Sequence, residues 1–262
     1  MNIIFLHHST GNNIWNGTKR TFFIKAITRV SKKLAQKLTK DPQLPIFMNN
    51  YNSENNTNYK ITEQAFPKRA PYGWNNYPYD YYNIWVKNAG SEPFMEEPTL
   101  EILAKEYQVI IFKHCYPASN IKADLDSADI NSPEKTLANY KLQYNALKEK
   151  MHQFPDTKFV LFTGAVQVKY YLSEEEALRA KQFHNWIINE WSEADDNIFL
   201  WDLYALQTEG GLYFKDDYAL TPHNSHPGGN FSIKTSKLFF NRTIDIIENN
   251  GNNTKLTGES LN

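Results

Sequence analysis

The sequence predicts an α/β fold built on a central parallel sheet. Four short apolar runs, typical of strands buried on both faces, recur along the 262 residues at 3–6, 109–112, 159–162 and 198–201. Apolar stripes with helical spacing lie between them. Alternating strands and helices favour a doubly wound sheet, in which ligands bind beyond the carboxyl ends of the strands. We therefore predict a three-layer α/β/α sandwich with its site at those strand ends.

The individual elements follow from the spacing of apolar residues. A fifth, weaker strand is predicted at residues 59–65, where apolar and polar residues alternate. Four amphipathic helices are predicted within residues 23–38, 137–151, 177–191 and 240–247. Ser132-Pro133-Glu134 is a start signal for the second helix, and Ser173 with Glu176 forms a capping box before the third. We interpret the apolar stripes as core faces.

Residues 66–98 interrupt this regular pattern. The stretch contains five prolines, and half of the residues between Tyr72 and Trp85 are aromatic. A structureless loop of this length is usually either functional or disordered, and its aromatic content argues against disorder. We predict one domain over residues 1–250, in which residues 66–98 are an ordered excursion across the strand ends. Residues 251–262 are predicted to be a disordered polar tail.

The charge balance narrows the classes of partner. With 28 basic and 29 acidic residues the formal net charge is −1, which gives no electrostatic support for nucleic-acid binding. No apolar run is long enough to span a membrane, and the amino terminus lacks a signal-peptide pattern. The only cysteine, Cys115, excludes an internal disulfide. The compartment stays open, with the cytoplasm favoured unless a leader was removed.

Chemically competent residues collect where the predicted strands end. His7-His8-Ser9-Thr10-Gly11 follows the first strand, and His223-Asn224-Ser225-His226-Pro227 precedes the last helix. A serine hydroxyl needs a nearby base to act as a nucleophile, and the oxyanion that forms needs hydrogen-bond donors. Ser9 is the candidate nucleophile and His226 the candidate base, and Gly11 permits a tight turn beside them.

These blocks resemble the SGNH, or GDSL-like, hydrolase superfamily in its divergent His-His-Ser-Thr-Gly branch. The resemblance implies a flavodoxin-like α/β/α sandwich and a serine esterase acting through Ser9 and His226. It places His223 where the family has an aspartate, so we include His223 among the catalytic candidates. We take a small-molecule or glycan ester as the substrate, with acetylated carbohydrate as the favoured class.

The resemblance also implies an oxyanion hole. Asn120 is the candidate in the asparagine block, within a segment that lacks the usual Gly-x-Asn-Asp. Gly11 is the candidate donor beside the nucleophile. The glycine block of the family corresponds to either Gly73 or Gly90, and the sequence does not choose between them.

The histidine at position 223 leaves the mechanism open, because a neutral imidazole orients a second histidine less strongly than a carboxylate does. The alternatives are a Ser–His dyad, or a triad completed in space by Asp202, Asp216 or Asp217. A third possibility is a non-catalytic glycan-binding or scaffold protein that retains the hydrolase fold. The histidines lack the close paired spacing of a metalloprotease, so we expect no metal and no other cofactor.

The aromatic residues of the 66–98 stretch have two interpretations. Aromatic rings stack on the apolar faces of sugars, so Trp74, Tyr77 and Trp85 are the candidate substrate-binding residues of a carbohydrate platform. The same residues would equally form a small satellite core.

Overall fold

The computed structural model describes residues 1–17, 42–73, 75–125 and 127–261. At its centre is a parallel sheet of five strands, β1 (Asn2–His7), β2 (Lys60–Ala65), β3 (Val109–Phe112), β4 (Lys158–Phe162) and β5 (Ile198–Trp201). The strands lie in the order β2-β1-β3-β4-β5. This is the strand order of doubly wound sheets of the flavodoxin type. The five predicted strands are confirmed, and the weakly predicted one is the edge strand β2.

Helices connect the strands, and a short hairpin precedes the last helix. The helices are α1 (Ser9–Asn16), α2 (Gln43–Asn55), α3 (Pro78–Tyr82), α4 (Leu100–Glu106), α5 (Leu137–Met151), α6 (Glu174–Trp186), α7 (Leu203–Thr208) and α8 (Gly229–Asn249). Helices α3 and α6 continue as π-helical turns, Asn83–Lys87 and Ile187–Trp191, and 3₁₀ turns occur at Tyr116–Ser119 and Lys169–Tyr171. The hairpin strands are β6 (Ala219–Thr221) and β7 (Asn224–Pro227).

Two helix predictions need comment. The helix predicted within residues 23–38 lies outside the described residues. The start signal at residues 132–134 is early, because α5 begins after Thr136, whose Oγ1 accepts a hydrogen bond from Asn139 N at 3.2 Å. Among the described residues, none of the helices combines the length and the apolar character that crossing a bilayer requires.

The sheet separates two hydrophobic cores, because successive residues of a strand point to opposite faces. In β1, Ile3 and Phe5 belong to one core, and Ile4 and Leu6 belong to the other. Side chains of α1, α2 and α8 cover the first core, and side chains of α3, α5 and α6 cover the second. The predicted three-layer α/β/α arrangement is therefore present.

The aromatic stretch forms part of the second core. Trp85 is fully buried, and its ring packs against those of Phe66, Tyr81 and Phe112 at 5.3, 4.9 and 5.2 Å. Its Nε1 donates to Pro98 O at 3.2 Å. The prediction that Trp85 binds substrate is wrong, because a fully buried ring cannot contact a substrate. Burial of this large side chain against β3 instead stabilises the fold. The satellite-core interpretation describes Trp85 correctly, and Trp74 lies outside the described residues.

The chain after α8 folds back onto the sheet as far as Leu261. Leu256 O accepts from Asp202 N at 2.9 Å, and Thr257 O accepts from Trp201 Nε1 at 3.0 Å. This differs from the disorder predicted for residues 251–262, and the reason lies in α8. Its Arg242 and Asp245 are buried and charged, so they require polar partners, which the tail supplies.

Candidate active site

Ser9 is the first residue of α1 and follows β1 directly. His8, at the N-cap position, has an extended backbone, so the chain turns sharply from strand to helix. The first hydrogen bond of α1 runs from Asn12 N to His8 O at 3.0 Å, which leaves the N–H groups of Ser9, Thr10 and Gly11 without an acceptor inside the helix. N–H groups at a helix start attract anions. The start of α1 therefore carries backbone N–H groups of the kind that bind an anion, directly beside Ser9.

The topology places this turn where ligands are expected. Strand β1 lies between β2 and β3, and the order of connection reverses at that point of the sheet. The crevice beyond the carboxyl ends of the strands at such a switch point is the usual ligand site of open α/β sheets. Ser9, after β1, and Lys113-His114-Cys115, after β3, both follow the strands that border this crevice.

The second half of the candidate site lies on β7. This strand packs against α1, and Asn13 Nδ2 donates to Pro227 O at 3.4 Å. On β7, Asn224 Oδ1 lies 2.7 Å from His226 Nδ1 and 3.1 Å from His226 N. Because the backbone N–H can only donate, this side-chain oxygen is an acceptor, and the ring proton is assigned to Nδ1. The basic nitrogen of the neutral His226 ring is then Nε2.

The residue that contacts the His226 ring in this way is therefore Asn224, whereas we predicted His223 in that position. His223 lies in the turn before β7, is exposed, and packs edge-to-face against Tyr170 at 4.3 Å. Asn224 and His226 are two residues apart on one strand, so their side chains share a face, whereas His223 precedes that strand. The predicted catalytic role of His223 is corrected accordingly. The Asn-x-His spacing on a short strand was the signal that the sequence analysis missed.

The two halves of the site adjoin without a direct bond between the catalytic candidates. In the described part of the chain, no hydrogen bond joins Ser9 Oγ to the His226 ring. Contacts between nucleophile and base are often long before substrate binds and shorten in the complex. The edge-to-face contact of Tyr116 with His226, at 5.2 Å, packs the imidazole from another side. The structure thus places Ser9 and His226 on two elements that pack against each other.

The side chain of His7 packs against the first turn of α1. It is buried, with Nε2 2.8 Å from Glu63 Oε2 on β2 and Nδ1 3.0 Å from His8 O. A Cβ atom on Gly11 would lie 2.4 Å from His7 Cβ, so only glycine fits where the helix crosses this ring. Gly11 is required for this close approach. Its role as an oxyanion donor stays a prediction.

Asn120 braces a neighbouring loop. It follows the Tyr116–Ser119 turn after β3, and its Nδ2 donates to Tyr171 O at 3.3 Å, while its Oδ1 accepts from Gln167 Nε2. A carboxamide nitrogen carries two protons. The donor role of Asn120 towards an oxyanion therefore stays a prediction beside the bracing role that the structure shows.

Tyr77 is half-buried, and Lys135 Nζ lies over its ring, 4.8 Å from the centroid. A cation over one ring face is a favourable contact. It occupies a face that a sugar would need, so Tyr77 retains at most one face for stacking. The role of Tyr77 in substrate binding stays a prediction.

With this geometry in view, the chain was compared with known proteins. No family model, curated protein or solved structure matches it. The SGNH resemblance therefore stays a prediction from the motifs, and the function has to be inferred from the site itself.

The end of β3 carries three buried polar residues. Lys113 Nζ lies 3.9 Å from Cys115 Sγ, and burial lowers the pKa of Lys113, with only Cys115 opposing that effect. Burial, followed by the charge of Lys113, lowers the pKa of His114 to about 3. Burial also lowers the pKa of His8, with smaller contributions from Lys113 and His7. Burial at this end of the sheet thus disfavours the protonated forms of Lys113, His114 and His8.

A small cavity of about 30 Å³ lies near the ends of β3, β4 and β5, lined by His114, Tyr144 and Tyr204 among others. A single water molecule needs roughly 10–15 Å³ of such volume, so the cavity accommodates one or two waters and no substrate. Both ring nitrogens of His114 and the hydroxyls of Tyr144 and Tyr204 have no hydrogen-bond partner within the described chain. The lining is mainly apolar with a few polar groups, and Ser9 is not part of it, so this cavity is distinct from the crevice at Ser9.

Asp202 does not complete the triad. Its carboxylate accepts from His184 Nε2 at 2.9 Å and from Thr163 Oγ1 at 2.8 Å. Although burial raises the pKa of Asp202, these bonds and the charge of His184 hold that pKa below its usual value. Asp216 and Asp217, the other two alternatives, are exposed.

One group of potential metal ligands occurs among the described residues. His152, Glu193 and Asp196 offer ligand atoms within 4.8 Å of one another. They precede β4 and β5 and so lie at the amino ends of the strands, opposite the end that carries Ser9. This group has no connection with the candidate active site.

Proposed function

We propose that the protein is a serine ester hydrolase with a Ser9–His226–Asn224 triad. The observation that carries this proposal is the 2.7 Å hydrogen bond between Asn224 Oδ1 and His226 Nδ1, on a strand that packs against the helix that Ser9 begins. A histidine whose Nδ1 proton is fixed presents Nε2 as the base, which is the arrangement that activates a serine.

In the proposed reaction, Ser9 Oγ attacks the acyl carbon while His226 Nε2 takes the hydroxyl proton. The carbonyl oxygen becomes an oxyanion and receives hydrogen bonds from the N–H groups at the start of α1. The imidazolium of His226 then donates its proton to the departing alcohol, and the acyl group remains on Ser9. A water molecule, deprotonated by the same nitrogen, then attacks the acyl carbon. The bond from that carbon to Ser9 Oγ breaks, His226 returns the proton to Oγ, and the carboxylic acid leaves.

Asn224 sets the tautomer of His226 without contributing a charge. A carboxylate in this position would both orient the ring and stabilise the imidazolium that forms during attack, and an amide supplies only the first effect. We therefore expect turnover below that of an enzyme with an aspartate in this position.

An acetylated carbohydrate is the substrate class that we propose. The side chains of Asn224 and Tyr116, which contact His226, are an uncharged amide and a phenol. The amide of Asn120 contacts the turn that Tyr171 ends. Such groups hydrogen-bond and stack with a neutral polyol, and they offer no counter-charge to an anionic substrate.

The alternative is a non-catalytic glycan-binding protein. The neutral orienting residue and the two exposed tyrosines at positions 170 and 171 favour it as the second candidate. Hydrolysis separates the two, since only the first candidate turns over an ester.

The test is hydrolysis of 4-nitrophenyl acetate by the wild type, Ser9→Ala and Ser91→Ala. We expect Ser9→Ala to lower kcat/KM by on the order of 10³-fold or more, because the nucleophile is removed. The control Ser91→Ala, which changes an exposed serine in a loop, should leave kcat/KM unchanged. Melting temperatures should agree, since Ser9 Oγ makes no hydrogen bond within the described residues. Equal activity in the wild type and Ser9→Ala would rule out the proposed nucleophile.

A further inference from the structure

Two adjacent tyrosines beside the candidate site are turned towards solvent. Tyr170 is 65% exposed and Tyr171 is 49% exposed, more than any other aromatic side chain of the described residues. They lie in the 3₁₀ turn Lys169–Tyr171, in the connection between β4 and α6. Exposed large apolar groups that occur together, rather than singly, commonly mark a contact surface.

This turn is fixed to the hairpin that carries the proposed base. Val168 N donates to Ser225 Oγ at 3.1 Å, and Tyr171 Oη donates to His223 O at 3.2 Å. The ring of Tyr170 stands edge-to-face against His223 at 4.3 Å, with an interplanar angle of 84°. The tyrosines are thus held in place before any ligand arrives, which reduces the conformational entropy lost on binding.

The same turn is also fixed to the other side of the site. Asn120 Nδ2 donates to Tyr171 O at 3.3 Å, and Asn120 follows the turn that carries Tyr116, whose ring contacts His226. The tyrosines therefore lie between the hairpin of His226 and the candidate oxyanion residue Asn120.

We propose that Tyr170, Tyr171 and His223, together named the tyrosine surface, bind a sugar ring of the substrate. The proposal rests on the proposed function and names the residues that hold the glycan at that site. A pyranose presents an apolar C–H face to an aromatic ring and hydroxyls to neighbouring amides. The surface offers both partners, since its rings are exposed and Asn120 and Asn224 lie beside it.

The tyrosine surface replaces the platform that the sequence predicted in residues 66–98. Within that stretch Trp85 is buried in the core, and Lys135 from outside the stretch covers one face of the Tyr77 ring. The exposed rings instead follow β4, where the sequence showed only a short Lys169-Tyr170-Tyr171 segment with no periodic signal.

The test is binding of unacetylated xylohexaose, cellohexaose and mannohexaose, measured by calorimetry on the full chain carrying Ser9→Ala. We expect at least one hexasaccharide to bind. Adding Tyr170→Ala should weaken that binding by about tenfold, and adding Tyr170→Phe should change it less than about twofold, because the ring face remains. The control, Leu142→Ala, removes an exposed apolar side chain of α5 and should have no effect.

Failure to bind any of the three, or equal affinity with Tyr170→Ala, would overturn the tyrosine surface. These outcomes are independent of the esterase test, since binding is measured without the nucleophile. If the wild type does not hydrolyse the ester but binds sugar in a way that depends on Tyr170, the proposed reaction is refuted and the tyrosine surface is retained. Ester hydrolysis without sugar binding would do the reverse.

Discussion

At the residue scale, Asn224 and His226 illustrate how a short strand fixes the orientation and tautomer of a histidine ring. Their side chains share one face of β7, and Asn224 Oδ1 accepts from both the backbone and the ring of His226. This double acceptance fixes the direction of the amide, and hence the proton on Nδ1. The hydrogen bonds between Asn224 and His226 involve no residue from elsewhere in the chain, so the three residues 224–226 are sufficient to form them.

Replacing Asn224 tests this assignment. Asn224→Asp places a carboxylate beside Nδ1, which stabilises the imidazolium and raises the pKa of His226. Because the reaction needs neutral His226, the acid limb of the pH–rate profile should move to higher pH by about one unit. Above that limb, turnover should rise by about tenfold, as expected for ~1.4 kcal/mol of added stabilisation of the imidazolium.

The paired variant Asn224→Leu should lower turnover by on the order of 10²-fold, because the ring loses its orienting acceptor. Both variants are compared with the wild type in 4-nitrophenyl acetate hydrolysis between pH 5 and 9. A profile identical in all three proteins would show that Asn224 does not act on the base.

At the scale of elements, the carboxyl end of β3 combines burial with ionisable groups. Lys113 is fully buried, and no carboxylate is among the groups that act on its charge. Its neighbours Tyr81 and His114 are aromatic and buried, and Tyr81 Oη donates to Lys113 O at 2.8 Å. Burying an ammonium without a carboxylate partner lowers the free energy of unfolding. Lys113 therefore destabilises the fold at the border of the candidate crevice.

Lys113→Met should therefore stabilise the protein. Burial lowers the pKa of Lys113 in the folded state, so the unfolded chain binds this proton more tightly. The free energy of unfolding of the wild type then decreases as the pH falls below the ordinary lysine value of about 10.4. At pH 7 the variant should be more stable by ~1–4 kcal/mol, and the difference should shrink towards pH 10.

Urea unfolding at the two pH values measures this effect, with Lys105→Met as the control. Lys105 is exposed on α4, so its replacement should change stability by less than about 0.5 kcal/mol at either pH. A Lys113→Met protein less stable than the wild type at pH 7 would mean that the ammonium is satisfied inside the fold.

At the scale of the whole molecule, the tail ties the last helix to the sheet. Arg242 of α8 donates to Leu200 O on β5 at 3.1 Å, and to Gly251 O and Thr254 O at 2.7 and 3.2 Å. Asp245 accepts from Thr254 N at 2.8 Å. At Gly258, a Cβ would lie 2.0 Å from Leu238 O, so the tail lies directly against α8.

Removing residues 252–262 should lower the free energy of unfolding by about 3 kcal/mol, because buried Arg242 and Asp245 lose partners. Gly258→Ala should also destabilise, since its φ of 87° and its contact with α8 both exclude a side chain. The control, Lys255→Ala, changes an exposed residue of the same tail. Guanidinium unfolding measures all three. Wild-type stability in the first two variants would show that the tail does not dock.

The sequence by itself determined the elements whose signals are local. The four apolar runs specified β1, β3, β4 and β5, and an alternating pattern specified the edge strand β2. The Ser173–Glu176 capping box starts α6 as predicted, with reciprocal bonds of 3.2 and 3.0 Å. It also located the block that ends in Ser9, because a residue that follows a buried parallel strand must emerge at its carboxyl end. These features depend on neighbours a few residues apart, which a linear pattern records.

Tertiary structure decided which side chains were buried, paired or exposed. Trp85 and Tyr170 belong to similarly aromatic segments, yet one packs against β3 and the other faces solvent. The tail is polar, and it is ordered because Arg242 and Asp245 are buried elsewhere in the chain. Burial and pairing depend on residues tens to hundreds of positions away. Spacing within a segment carries no record of them, so only the folded chain distinguishes a core tryptophan from an exposed tyrosine.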